Sequence, residues 1–319
     1  MLRTFRINAE STSLLGVLQG ILAILGVSLA FSQLSNLRLN TKILLLTICI
    51  GSFPFQLALE RGNYDLWVLI LLLPLGLLVD IPTHSLLKKI GIATLSFLLA
   101  ALKIFPLIGI GFWYTWQQKT CLMKHGYLWI VCPAVLGVVL QAPYLGAIFG
   151  NTPKPTGELS FGLRAVYQGS SMFTIALALK TLTLLACFVL LTKLLTKYQF
   201  FYPIQSQQNS IFSLALWMII PVYLLSLSFD YRLLFLLFAF PFVVNITSLK
   251  ENSKTDQLLF SCFIRLSIVF VAYEQYLPGA LGAIAHLLSD AIVQPALFIG
   301  LIGVLVCTQP RDAISQTVH

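Results

Sequence analysis

The chain has 319 residues, of which 58% are hydrophobic and 10% charged, with a mean hydropathy of +0.90 and a formal charge of +9. A soluble domain carries about 25% charged residues, so one water-soluble core is excluded. The positive charge reads as a topological signal rather than as a nucleic-acid surface. Six cysteines (Cys49, Cys121, Cys132, Cys187, Cys262 and Cys307) lie mostly in apolar runs without a CxxC pair. That pattern points to neither a disulfide framework nor a metal site.

Arg3 and Arg6 precede an apolar run from Ser13 to Gln33, which is too long for a signal-peptide core and reads as a retained helix. Further helices are predicted over 43–59, 65–80, 90–103, 105–117, 127–149, 171–192, 211–228, 232–249, 257–276 and 292–308. Residues 90–117 are read as two short helices with a bend at Lys103-Ile104-Phe105-Pro106. Residues 279–289 are short and weakly apolar, the pattern of a re-entrant or interfacial segment. The polar stretches 150–170 and 193–209 are loops, and no internal repeat appears. The expected fold is all-α, a polytopic transmembrane bundle of about 10–11 helices forming one integral membrane domain over residues 1–319.

Placing Arg38 and Lys42 in the cytoplasm sorts the remaining charges. Lys88, Lys89, Lys119, Lys124, Lys193, Lys197, Lys250, Lys254 and Arg311 fall on the same side, giving eleven basic residues there. Five (Arg61, Lys103, Lys154, Arg164 and Arg232) fall on the other, in accord with the positive-inside rule. Arg3 and Arg6 fall on the wrong side of this scheme.

The polar groups then gather on the outer face. They are Glu60-Arg61-Gly62-Asn63-Tyr64-Asp65 within LALERGNYDLW, together with Lys103, Asp230-Tyr231-Arg232 and Glu274. Basic groups beside carboxylates suit a lipid-linked phosphate leaving group and a reacting hydroxyl. Each motif also has a plain structural reading. Gly62 with a positive φ would end one helix, and Asn63 or Asp65 would cap the next. Lys103 would snorkel to the interface, and Asp230 to Arg232 would be a simple turn. Glu274 reads as an ordinary helix end, and Asp80 and Asp290 as caps. Lys180 and Arg265 fall inside apolar runs with no evident partner, and the four histidines are scattered.

SFPFQLALERGNYDLWVLILLLPLGLL (52–78), AALKIFPLIGIGFWYTW (100–116) and SFDYRLLFLLFAFPFV (228–243) carry, in order, an RGN turn, a Lys-x-x-Pro step and an Asp-Tyr-Arg-Leu segment. Over residues 45–250 the chain resembles the bacterial glycosyltransferase 87 family and its relatives, polytopic enzymes of the GT-C fold. The resemblance implies transfer of a sugar from a polyprenyl-phosphate carrier to a glycan or lipid acceptor. The reaction would run on the extracytoplasmic face of the inner (plasma) membrane. It implies Arg61, Asn63, Lys103, Tyr231 and Arg232 as substrate-binding residues and Glu60, Asp65 and Asp230 as the catalytic carboxylates. The residues identify no cofactor and do not say whether a divalent cation is needed, and no nucleic acid is expected as a partner. GT-C enzymes usually carry their catalytic acid in the first outer loop, whereas SNLRLNTK (35–42) holds none. The expectation is therefore a family member shortened at its N-terminus, and inactive if that loop is required. The competing readings are a multi-helix transporter or lipid flippase, and a surface-glycan polymerase or ligase.

Overall fold

The computed structural model describes residues 9–34, 37–81, 85–117, 126–144, 146, 160–161, 173–197, 210–225, 228–246 and 255–307. These residues are helices joined by short turns, with a two-residue antiparallel ladder that pairs Ser160–Phe161 with Ser228–Phe229. The helices are α1 (Ala9–Ser32), α2 (Leu39–Ile50), α3 (Phe53–Glu60), α4 (Tyr64–Asp80), α5 (Leu86–Leu102), α6 (Phe105–Gln117), α7 (Gly126–Trp129) and α8 (Val131–Val139). They continue with α9 (Phe173–Lys197), α10 (Ser210–Leu225), α11 (Leu234–Phe238), α12 (Phe240–Ile246), α13 (Thr255–Tyr273), α14 (Gly279–Leu288) and α15 (Gln294–Cys307).

Local chemistry sets the breaks. The helix expected over 43–59 is two, α2 and α3, bent by 52°. The Ser52 hydroxyl donates to the Cys49 carbonyl at 2.7 Å and accepts from the Phe55 N–H, so it closes one helix and caps the next. Pro54 occupies the first turn of α3, where its missing N–H costs nothing. The expected bend at Lys103 is present, with Lys103 in an extended conformation (φ −151°, ψ 150°) between α5 and α6. Two expectations are corrected. The helix over 127–149 gives way after Val139 to a 3-10 turn at Ala142–Tyr144. Residues 279–289 do not stand apart. Helix α14 runs through a π turn (Ser289–Val293) into α15, making one 27-residue apolar helix from Gly279 to Leu305.

Among the described residues, three helices are long and apolar enough to cross a membrane: Leu14–Ser32, Leu258–Tyr276 and Gly279–Leu305. Counting the bent pair α2–α3 as one span makes four. Greasy faces point outward: Leu14, Val17, Ile21, Leu25 and Leu29 on the span of α1, and Leu182, Leu185 and Phe188 on the shorter apolar stretch of α9, are exposed. Apolar faces of this extent suit lipid rather than water.

Helix α10 is the hub. From Ser210 to Tyr223 every side chain except Trp217 is buried, and α4, α6, α11, α12 and α15 all pack on it. Lipid provides no hydrophobic drive between helices, so close approach of backbones matters more than apolarity. Gly76 of α4 and Gly109 of α6 supply it. A Cβ at Gly76 would lie 2.7 Å from the Ile211 Cα, and one at Gly109 would lie 2.7 Å from the Met218 Cα. Asp80 does cap a helix, though not its own: it accepts hydrogen bonds from the Ser210 N–H and hydroxyl at the start of α10. Leu233 to Val243, spread over a 3-10 turn and two short helices, are all buried beside this hub.

Candidate functional site: a carboxylate between two cations

The turn between α3 and α4 is built by its own sequence. Gly62 has φ +52°, in the left-handed region that glycine adopts without a Cβ clash. The Gly62 N–H bonds to the Leu59 carbonyl and the Asn63 N–H to the Ala58 carbonyl, both near 3.0 Å, which is the Schellman closure of α3. Asn63 then caps α4, its Oδ1 accepting from the Asp65 N–H at 2.9 Å. Both parts of the turn expectation hold. The sequence places Asp65 in the first turn of α4, where the helix dipole favours a carboxylate.

Asp65 is fully buried. Lys103, at the break between α5 and α6, places Nζ 2.8 Å from its Oδ1 and donates to Asn63 Oδ1 at 3.2 Å. Arg232, from the 3-10 turn Asp230–Leu233, brings Nε within 3.8 Å of Asp65 Oδ2. The Arg232 guanidinium also lies over the Phe105 ring, 5.0 Å from its centroid, and Phe105 meets Phe235 edge-on at 5.7 Å. Lys103 therefore turns inward to a buried partner instead of snorkelling. One carboxylate between two cations leaves an excess of positive charge, the setting of an anion site.

The structure joins Asn63, Asp65, Lys103 and Arg232 in one cluster. Glu60 and Arg61 are exposed at the end of α3, on the same turn. Asp230 and Tyr231 contribute backbone to the 3-10 turn, and their side chains lie outside the described residues. One member is new. Gln19, buried in α1, donates from Nε2 to the Asn63 carbonyl at 2.7 Å and ties the turn to the first span. Its signal in the sequence is a lone amide within an apolar run, where a polar group needs a specific acceptor.

Among the described residues no group of three or more His, Cys, Asp or Glu side chains is arranged to hold a metal ion. No protein-family model, curated protein or solved structure matches the chain.

Proposed function

We propose that the chain is a polytopic GT-C-type membrane glycosyltransferase. It moves a sugar from a polyprenyl-phosphate carrier to a glycan or lipid acceptor on the extracytoplasmic face of the plasma membrane. The observation that carries this reading is convergence. Three short motifs, each weak alone, meet at Asp65: the RGN turn through Asn63, the Lys-x-x-Pro step through Lys103, and the Asp-Tyr-Arg-Leu segment through Arg232. Positive-inside counting supports the outer placement of all three.

The chemistry follows from the charges. Lys103 and Arg232 stabilise the phosphate as it leaves with the growing negative charge. Arg61 on the same turn offers a further cation. Asp65, held by both cations, orients them. The acceptor hydroxyl loses its proton to a carboxylate, for which the exposed Glu60 at the end of α3 and Asp230 at the start of the 3-10 turn are the candidates. A single displacement of this kind inverts the anomeric centre. Asn63 holds the turn and Tyr231 stands beside Arg232 in the chain.

The test uses the full chain in lipid nanodiscs with a radiolabelled polyprenyl-phosphate sugar. Arg232→Gln is expected to weaken donor binding by roughly tenfold or more, the loss of one charge-assisted contact, with Glu60→Gln lowering transfer but not binding. Donor binding unchanged in Arg232→Gln overturns the phosphate assignment. Movement of the lipid across the bilayer without sugar transfer would favour the flippase reading instead.

A further inference from the structure

A second polar cluster lies away from the first, in the last helical pair. It joins residues that are solitary in the sequence. Glu274, in the 3-10 turn Glu274–Tyr276 after α13, is buried, as are His286 on α14 and Asp290 in the π turn. The two carboxylates approach opposite nitrogens of the imidazole: Glu274 Oε1 lies 3.4 Å from His286 Nδ1, and Asp290 Oδ2 lies 3.6 Å from His286 Nε2. Gln294 donates from Nε2 to Asp290 Oδ1 at 3.1 Å and to Ser289 Oγ at 3.2 Å. Lys180 of α9, itself buried, acts electrostatically on Asp290. Among the described residues Tyr223 of α10 also acts electrostatically with Asp290, and Cys187 of α9 with Tyr223. Asp290 is thus a paired interior group rather than a cap, and Glu274 is more than a helix end.

Two features give the cluster a task. The first is charge balance. Two carboxylates flank the His286 ring, and with both ionised a second proton on the ring offsets negative charge held in a buried site. The second is the geometry at Nδ1. That nitrogen has Gln275 Nε2 at 3.0 Å and Glu274 Oε1 at 3.4 Å. A neutral ring with a bare Nδ1 accepts from the Gln275 amide. A protonated ring donates from the same nitrogen to Glu274. The two neighbours serve opposite protonation states of one atom.

We propose that Glu274, His286 and Asp290 form a proton-binding site buried in the membrane, with His286 as the group that gains and loses the proton. His286 and Asp290 lie about 10 and 16 Å along the helix that begins at Gly279, at 1.5 Å per residue. The site therefore reaches from one end of that span towards its middle. The π turn supports the assignment, since such turns widen a helix where side chains must converge. Ionisable groups at this depth recur in proton paths. The proposal is independent of the glycosyltransferase reading.

The test uses the full chain in nanodiscs with His84, His125 and His319 replaced by Gln, so that His286 is the one imidazole. Nitrogen NMR then follows both ring nitrogens across pH. The expected result is a change between a singly and a doubly protonated ring. Lys180→Gln moves proton uptake to higher pH and Asp290→Asn moves it to lower pH, each by roughly one pH unit or more. If Asp290→Asn does not fold, Glu274→Gln serves as the carboxylate-neutralising variant, with the same sign. A ring that keeps one protonation state throughout overturns the proposal. So does a pair of variants that shift uptake in the same direction or not at all, because a merely structural network has no reason to respond with opposite signs.

Discussion

Two buried ionic clusters of opposite balance sit in one helical protein. At Asp65 two cations flank one carboxylate, at 2.8 and 3.8 Å. At His286 two carboxylates flank one imidazole, at 3.4 and 3.6 Å, and Lys180 acts electrostatically on Asp290. In a low dielectric each cluster seeks what restores neutrality. The first seeks an anion and the second a proton. Their construction differs in the same way. The Asp65 cluster gathers at helix ends, with Lys103 and Arg232 about one-fifth exposed, and an outside ligand can reach it. The His286 cluster is sealed inside a span, with both partners under 5% exposed, so only a proton is small enough to be exchanged without unpacking the helices.

The sharpest way to break this contrast is Lys103→Met. It leaves the buried Asp65 carboxylate with Arg232 alone and is expected to destabilise the fold by about 3 kcal/mol, read from denaturant unfolding. Adding Asp65→Asn should recover most of that loss, because the cost is an uncompensated charge and not lost packing. Failure of the second change to rescue the first would mean that Lys103 acts mainly through its stem.

A smaller effect is expected from Gly62→Ala, which forces an L side chain into φ +52°. It should cost about 1–2 kcal/mol in unfolding and loosen donor binding, while proton uptake at His286 stays as it was. A change at His286 would couple the two clusters and erase the distinction. The smallest effect is expected from Gln19→Leu, which removes one buried hydrogen bond to the Asn63 carbonyl. Unfolding measurements should register about 0.5–1.5 kcal/mol, again without moving the proton titration.

The two clusters were not equally legible. LALERGNYDLW announces itself, since a glycine turn and a capping Asn obey local rules that need no tertiary contact. The break at Lys103-Ile104-Phe105-Pro106 is local in the same sense. What the residues there could not reveal was that Lys103 and Arg232 share one carboxylate, or that Gln19 steadies the turn from another helix. The His286 cluster had no such signal. Lys180, Glu274, His286 and Asp290 stand singly among apolar neighbours, and each alone resembles a cap, a helix end or a stray polar residue. The weak apolarity of 279–289 comes from its small and polar residues, and two of the polar ones, His286 and Ser289, belong to the cluster.

By itself the sequence determined the solvent and the helical class of this protein. Composition alone decides that its outer faces belong in lipid, and glycine, proline and capping residues act within a few positions of themselves. Tertiary structure decided which charges meet. A buried ion pair depends on distances between segments far apart in the chain, and only the packing of the helices, as where α4 and α6 approach α10 at Gly76 and Gly109, fixes them. It also decided that α14, the π turn and α15 form one continuous helix. Packing against α9 and α13 holds that helix together through its polar centre, where residues 279–289 read alone suggested a break.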